Sequence, residues 1–165
     1  MDKQLIPKGG NDCVQTPLED CRKLVNHFKP TGRVLEPCKG DGNFLQAFKE
    51  FGLIDTYWCE IKEDLDFFDC DDKFDWIITN PPFSKFRKFL QHSMKLADNV
   101  VFLATVNHIW LKARMRDIKE HGFEIKEIIP IDTPNTFPQS GFQVGWIHLK
   151  KNGVLHRKTA LEEKN

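Results

Sequence analysis

The sequence predicts an α/β protein built on a doubly wound, mostly parallel sheet of seven strands with an antiparallel last strand. Three features carry that expectation. Strand-like and helix-like segments alternate along the chain, cut apart by Gly and Pro. Residues 99–106 are almost continuously apolar, as in a strand covered by helices on both faces. Gly40-Asp41-Gly42 stands where a strand gives way to a helix, the place at which doubly wound sheets bind ligands.

Each element follows in order. Pro17 to Phe28 reads as a helix: Thr16 is placed to cap it, Pro17 suits the first turn, and Leu18, Cys21, Val25 and Phe28 share a face. Arg33 to Glu36 is a short strand, and Asn43 to Phe51 a helix that Gly52 ends. Thr56 to Ile61 is the next strand, and a weakly written one is expected near Leu65. Asp75 to Thr79 is a buried strand leading into Asn80, and Ser84 is placed to cap a helix carrying Phe86, Phe89, Leu90 and Met94. After the apolar strand 99–106 come a helix from Lys112 to His121, a strand from Ile125 to Ile131, and a last strand from Phe142 to Leu149. Between those strands, Asp132 to Gly141 has the composition of an irregular loop.

A chain of 165 residues, 40% of them hydrophobic, has room for one core, so residues 1–151 are expected to form one domain followed by a tail, 152–165. The formal net charge is +0, which leaves no global field to draw in nucleic acid; any such contact has to be local. Five cysteines without a Cys-x-x-Cys pair argue against a disulfide framework and a metal site, and fit a reducing cytoplasm. Neither a signal peptide nor a membrane-spanning apolar run is visible.

The chemistry concentrates in two segments. In Glu36-Pro37-Cys38-Lys39-Gly40-Asp41-Gly42, glycines let backbone approach a ligand closely, but Glu36 and Asp41 would repel a pyrophosphate; they suit a cationic, amine-bearing ligand such as S-adenosylmethionine. Glu60 lies roughly 20 residues further on, the offset at which these folds set an acid against ribose hydroxyls. Asp66-Phe67-Phe68 combines an acceptor for an adenine amino group with rings that stack on it. In Asn80-Pro81-Pro82-Phe83, an amide and a backbone carbonyl could bond both N–H groups of an aryl amine. That favours pyramidal nitrogen and frees its lone pair toward a methyl donor, while Phe83 stacks on a base swung out of its helix.

The order Glu36-Pro37-x-x-Gly40-x-Gly42, then Asn80-Pro81-Pro82-Phe83, resembles motifs I and IV of the amino-methyltransferases, above all the small adenine-N6 DNA methyltransferases of phages and bacteria. The likeness runs from about Gln15 to Lys151 and implies the Rossmann-like class I methyltransferase fold. It also implies that Thr16 and Pro17 meet the methionine carboxylate, Glu36, Pro37, Gly40 and Gly42 hold methionine and ribose, and Glu60 binds ribose. Asp66 and Phe67 would hold the cofactor's adenine, Asn80, Pro81 and Pro82 the target amine, and Phe83 the target base. A phage-encoded enzyme would work in the host cytoplasm.

Around these lie candidates for substrate contact. His108 and Trp110 follow the strand beside the catalytic one, where they face the same cleft, although core packing is the role expected first of Trp110. Lys85, Arg87, Lys88, Lys112, Arg114 and Arg116 could meet phosphates. With about 80 residues after the catalytic segment, no separate recognition domain is expected. Low or very short sequence specificity is therefore expected, aided by the 132–141 loop, a partner subunit or a second copy. Rival readings are adenine in RNA, cytosine N4, a protein glutamine amide, and a non-catalytic subunit that keeps only the fold.

Overall fold

The computed structural model describes residues 14–153; residues 1–13 and all but the first two residues of the expected tail lie outside that range. Its six strands are β1 (Val34–Glu36), β2 (Thr56–Trp58), β3 (Phe74–Thr79), β4 (Ala97–Thr105), β5 (Phe123–Ile131) and β6 (Val144–Lys151). They pair in the order β2-β1-β3-β4-β6-β5, and β6 runs antiparallel to both neighbours. Four helices alternate with them: α1 (Leu18–Phe28), α2 (Asn43–Phe51), α3 (Phe86–Leu96) and α4 (Lys112–Glu120). No helix among the described residues is long and apolar enough to cross a membrane.

Period-two alternation along the strands divides the apolar residues between two cores. Val34, Ile78, Val101, Leu103 and Trp146 join Leu24, Val25, Phe44 and Phe48 from α1 and α2. Leu35, Ile77, Val100, Phe102 and Ile147 join Phe86, Phe89, Leu90 and Ile118 from α3 and α4 on the opposite face. Phe86 and Phe102, each 1% exposed, meet edge-on with ring centroids 5.6 Å apart. Truncating either ring to Ala costs about 3–5 kcal/mol.

Local chemistry sets the element ends. α1 carries Glu19 and Asp20 in its first turn and stops at Lys29, whose left-handed backbone (φ 46°) returns an N–H to Val25 O just before Pro30. α2 starts after Gly42 (φ 86°) and stops at Gly52 (φ 94°), both in the conformation that favours glycine.

Four expectations are corrected. The strand near Leu65 is absent: Leu65 N–H turns back to Glu60 O (3.2 Å), Asp64 is left-handed (φ 60°), and a 3-10 turn follows over Phe67–Asp69. Acids 63, 64, 66, 69, 71 and 72 favour such capped, solvated turns over an edge strand, so the described residues form six strands rather than seven. β2 ends at Trp58, short of Ile61, because Glu60 caps a 3-10 turn over Ile61–Glu63. Thr16 does not cap α1, whose cap position is Pro17. α3 begins at Phe86, after a 3-10 turn over Phe83–Lys85, with Lys85 rather than Ser84 at its cap position.

On β6, His148 is 7% exposed, stacked on Trp76 (5.1 Å, 24°), edge-on to Phe28, and bonded through Nε2 to Asn99 Oδ1 (3.0 Å). Burial pushes its pKa down to about 4; nearby Glu127 opposes the shift, and Lys150, Lys126 and His27 reinforce it. The folded state therefore resists a proton that the unfolded chain accepts, so this contribution is whole above the ordinary value of 6.5 and is lost as pH falls toward 4. Thermal melts of the wild type should lose stability across that window, by at most about 1.4 kcal/mol per pH unit, and His148→Gln should flatten the loss. An identical slope in the variant would assign the acid lability elsewhere.

Candidate active site

Parallel pairing of β1 with β3 (Leu35↔Ile77) and of β3 with β4 (Thr79↔Phe102) opens their carboxyl ends on one edge of the sheet. A cleft of about 290 Å³ lies there, close to the small end of the range for ligand sites. It is lined by Thr16, Glu36, Pro37, Gly40, Glu60, Asp66, Phe67, Asn80, Pro82 and Lys85, ten of the residues singled out in the sequence. Pro17, Gly42, Pro81, Phe83, His108 and Trp110 do not line it.

Residues 14–16 line this cleft, and their backbone carbonyls are tied to three separate segments. Asn80 Nδ2 donates to Val14 O (3.0 Å), Asn43 Nδ2 to Thr16 O (2.8 Å), and Thr136 Oγ1 to Gln15 O (2.9 Å). The Gln15 side chain in turn accepts from Asp41 N–H (3.1 Å). A carbonyl only accepts, so the Asn80 atom facing Val14 has to be the nitrogen, and its Oδ1 is left as an acceptor. The local pattern singles out Asn80 but points to neither Val14 nor Asn43, whose partners are 66 and 27 residues away.

The glycines act differently from one another. Gly40 (φ 53°) packs so tightly that a β-carbon would collide with the Gln15 amide; Gly42 has open space, so only its φ of 86° demands glycine. Gly40 N–H donates to Glu60 Oε2 (2.9 Å), while Glu60 Oε1 accepts from Lys62 N–H (3.1 Å), so one carboxylate braces both loops. Asp66 Oδ1 accepts from Phe68 N–H (2.9 Å) and orients the turn that brings Phe67 and Phe68 over Phe89. Lys39 closes the rim, bonded to Glu63 (2.7 Å) above the Trp58 ring (4.0 Å).

Two groups in the cleft are held at a cost. Glu36 is 1% exposed and accepts Cys38 N–H (2.7 Å); burial, aided by Glu60, pushes its carboxyl up to about 8 against the pull of Thr79 and the Cys38 amide. Thr16 Oγ1 is buried with no hydrogen-bond partner among the described residues. Burial disfavours the reactive thiolate of the two cysteines beside the cleft, pushing the Cys38 thiol far up and Cys59 to about 12.

Beyond the cleft, half-buried Phe83 faces His108 (5.6 Å, tilted), and His108 faces Phe86 (5.7 Å). Burial, then Arg114, holds His108 below its ordinary value. Trp110 is 55% exposed, which corrects its core reading: the neighbouring Ile109 takes the buried position instead. Arg87 is committed to a two-pronged pair with buried Asp117 (2.7 and 3.1 Å), and Arg114 lies over the Phe86 ring and donates to His108 O (2.9 Å), so neither is a free phosphate ligand.

No family model matches the sequence, and a search of curated proteins finds no significant match. Solved structures do match. A proposed RNA methyltransferase from Pyrococcus horikoshii aligns over 84% of this chain and 86% of its own at 17% identity, with a TM-score of 0.64. A chain of a type I R-M system aligns over 84% of this chain and 42% of its own at 16% identity, with the same TM-score of 0.64. SMU.776, described as a methyltransferase candidate and solved with SAH, aligns over 80% of this chain and 48% of its own at 12% identity, with a TM-score of 0.57. The chain therefore has the Rossmann-like fold of the class I methyltransferases.

The raised Glu36 pKa has a sign that can be tested. A carboxyl whose folded value exceeds its ordinary 4.5 favours the folded state fully below 4.5 and ceases to as pH rises through about 8. Glu36→Gln keeps a neutral acceptor for Cys38 N–H, so the variant should melt higher than the wild type at pH 9, with the gap closing toward pH 4. Equal melting temperatures at pH 9 would mean that the carboxylate is not strained.

Proposed function

We propose that the protein transfers a methyl group from S-adenosylmethionine to the exocyclic N6 amino group of adenine in DNA. The observation that carries this reading is the pinning of Asn80 by Val14 O, which leaves the amide oxygen as an acceptor at the mouth of an acid-lined cleft. The cleft fits the cofactor in its chemistry. Glu60 suits the ribose hydroxyls, and Glu36 suits the cationic amine, whose charge beside it would draw the raised carboxyl back to its carboxylate form; buried Thr16 Oγ1 has a hydrogen bond to give, and Phe67 with Asp66 suits an adenine ring and its amino group. Pro17, Pro37, Gly40 and Gly42 shape the surrounding backbone. Bound there, S-adenosylmethionine would supply an electrophilic methyl carbon on a sulfonium.

This chain's own residues then do the rest. Asn80 Oδ1 and the Pro81 carbonyl accept the two N–H bonds of the target amine, holding its lone pair toward the cleft. Pro81 and Pro82 fix that backbone without N–H donors. Phe83, seated against His108, stacks on the base, and Lys85 at the cleft rim meets its phosphate. The nitrogen–carbon bond forms as the sulfur–carbon bond breaks, and the proton leaves nitrogen for solvent. The R-M neighbour supports DNA as the polymer; the Pyrococcus neighbour favours a second reading, adenine in RNA. A partner subunit or second copy would supply sequence readout.

Incubating the protein with radiolabelled cofactor and DNA, RNA or protein should label DNA, on N6 of adenine. Asn80→Ala should cut turnover by about 10²–10³-fold while SAH binding is retained. Label in RNA alone moves the reading to the second polymer, label on cytosine or on glutamine overturns it, and none at all leaves a non-catalytic subunit.

A further inference from the structure

The net charge of zero hides a segregation. Residues 60–75 carry eight acids against two lysines, whereas residues 85–116 carry seven Lys and Arg against Asp98 alone. Within the cationic stretch, Arg87 is neutralised by Asp117, Arg114 is half-buried, and Lys95 ends α3 away from the cleft. That leaves Lys85 and Lys88 at the start of α3 and Lys112 and Arg116 at the start of α4, all exposed and none in an ion pair among the described residues. The Arg87–Asp117 pair ties α3 to α4, the two helices whose starts carry the four cations.

Apolar side chains stand exposed in the segment that leads into α4. After β4 a 3-10 turn over Val106–His108 is nailed down by Ile109, 0% exposed, and this anchor turns Trp110 and Leu111 outward, each 55% exposed. Phe142, 57% exposed, precedes Gln143, whose carbonyl accepts Val106 N–H (2.8 Å), so it belongs to the same edge. Phe83 reaches this turn through His108. Exposed apolar residues at the opposite sheet edge, Ile54, Tyr57, Ile61 and Leu65, lie in or next to the acidic stretch, which would repel a polyanion.

We propose that these cations and apolar side chains form one surface that docks duplex DNA, with Trp110 and Leu111 as an apolar wedge entering the base stack beside the extruded nucleotide. Lys85, Lys88, Lys112 and Arg116 hold the flanking phosphates. The inference rests on the proposed function, since extrusion of a base toward Phe83 is what creates a gap to fill. Four unpaired cations around large apolar side chains match a stack of bases edged by phosphates, and a single strand offers no gap that needs a wedge.

Anisotropy of a labelled short DNA duplex and of its single strand, titrated with protein and SAH at several salt concentrations, tests the surface without relying on turnover. Trp110→Ala should weaken duplex binding at least about tenfold and single-strand binding much less, and Trp110→Phe should recover most of the loss. The double variant Lys112→Ala/Arg116→Ala should weaken both forms and lower the slope of log K against log salt by about two. Melting temperature and SAH binding of each variant should match the wild type. Equal loss by Trp110→Ala on duplex and single strand overturns the wedge, and no loss, or selective binding of an RNA duplex, overturns the surface. Selective duplex loss in a wild-type background that labels no DNA adenine would sink the proposed function and leave the surface standing.

Discussion

Parallel pairing of β1, β3 and β4 sends three strand ends to one edge of the sheet, and most of what is distinctive about this molecule follows from that. Glu36 closes β1, Asn80 follows β3, and the Ile109 turn follows β4, so groups more than 70 residues apart in sequence share a rim. The pairing holds because both faces of the central strands are covered. Ile77 and Ile78, adjacent on β3 and both 0% exposed, serve opposite cores, so a slip of one residue would exchange the two sets of side chains.

The rim alone would be a row of loose loops. The backbone of Val14 to Thr16 stitches it, taking hydrogen bonds from Asn80, Asn43 and Thr136. Each bond contributes only about 0.5–1.5 kcal/mol, but together they orient an amide whose two ends look alike in shape and differ in chemistry. The 132–141 loop is drawn into the same arrangement: Thr136 reaches Gln15, and Phe137, 5% exposed, sinks into the core beside α1 and α2. Stability is given up nearby, in the buried Glu36 carboxyl and the unpartnered Thr16 hydroxyl, as is usual where a fold holds groups ready for a ligand.

Charge is organised along the same division. Acids gather around the β2 end of the rim and unpaired cations around the β4 end, with Asn80 between them. A formal total of +0 therefore describes a polarised molecule rather than a neutral one, and composition could not reveal that because it averages over position.

Legibility in the sequence tracked how local each cause was. The helix over Asn43–Phe51 was readable to the residue, since Gly42 and Gly52 mark its ends by their own backbone preference. The sheet's order class, its antiparallel β6 and ten cleft residues were readable because periodicity and motif spacing act over short spans. The strand near Leu65 misread because acid-capped turns compete with an edge strand, and Trp110 because a bulky apolar residue is buried only if the turn that carries it faces inward. What the sequence by itself determined was the run of elements and the chemical character of the Glu36–Gly42 and Asn80–Phe83 segments, both set by neighbours in the chain. Only the tertiary structure decided which end of the Asn80 amide Val14 holds, leaving the other to accept, and which cations stand outside the ion pairs of the described residues. Both depend on partners far away in sequence, Val14 for the amide and Asp117 for Arg87, and only folding brings them into hydrogen-bond reach.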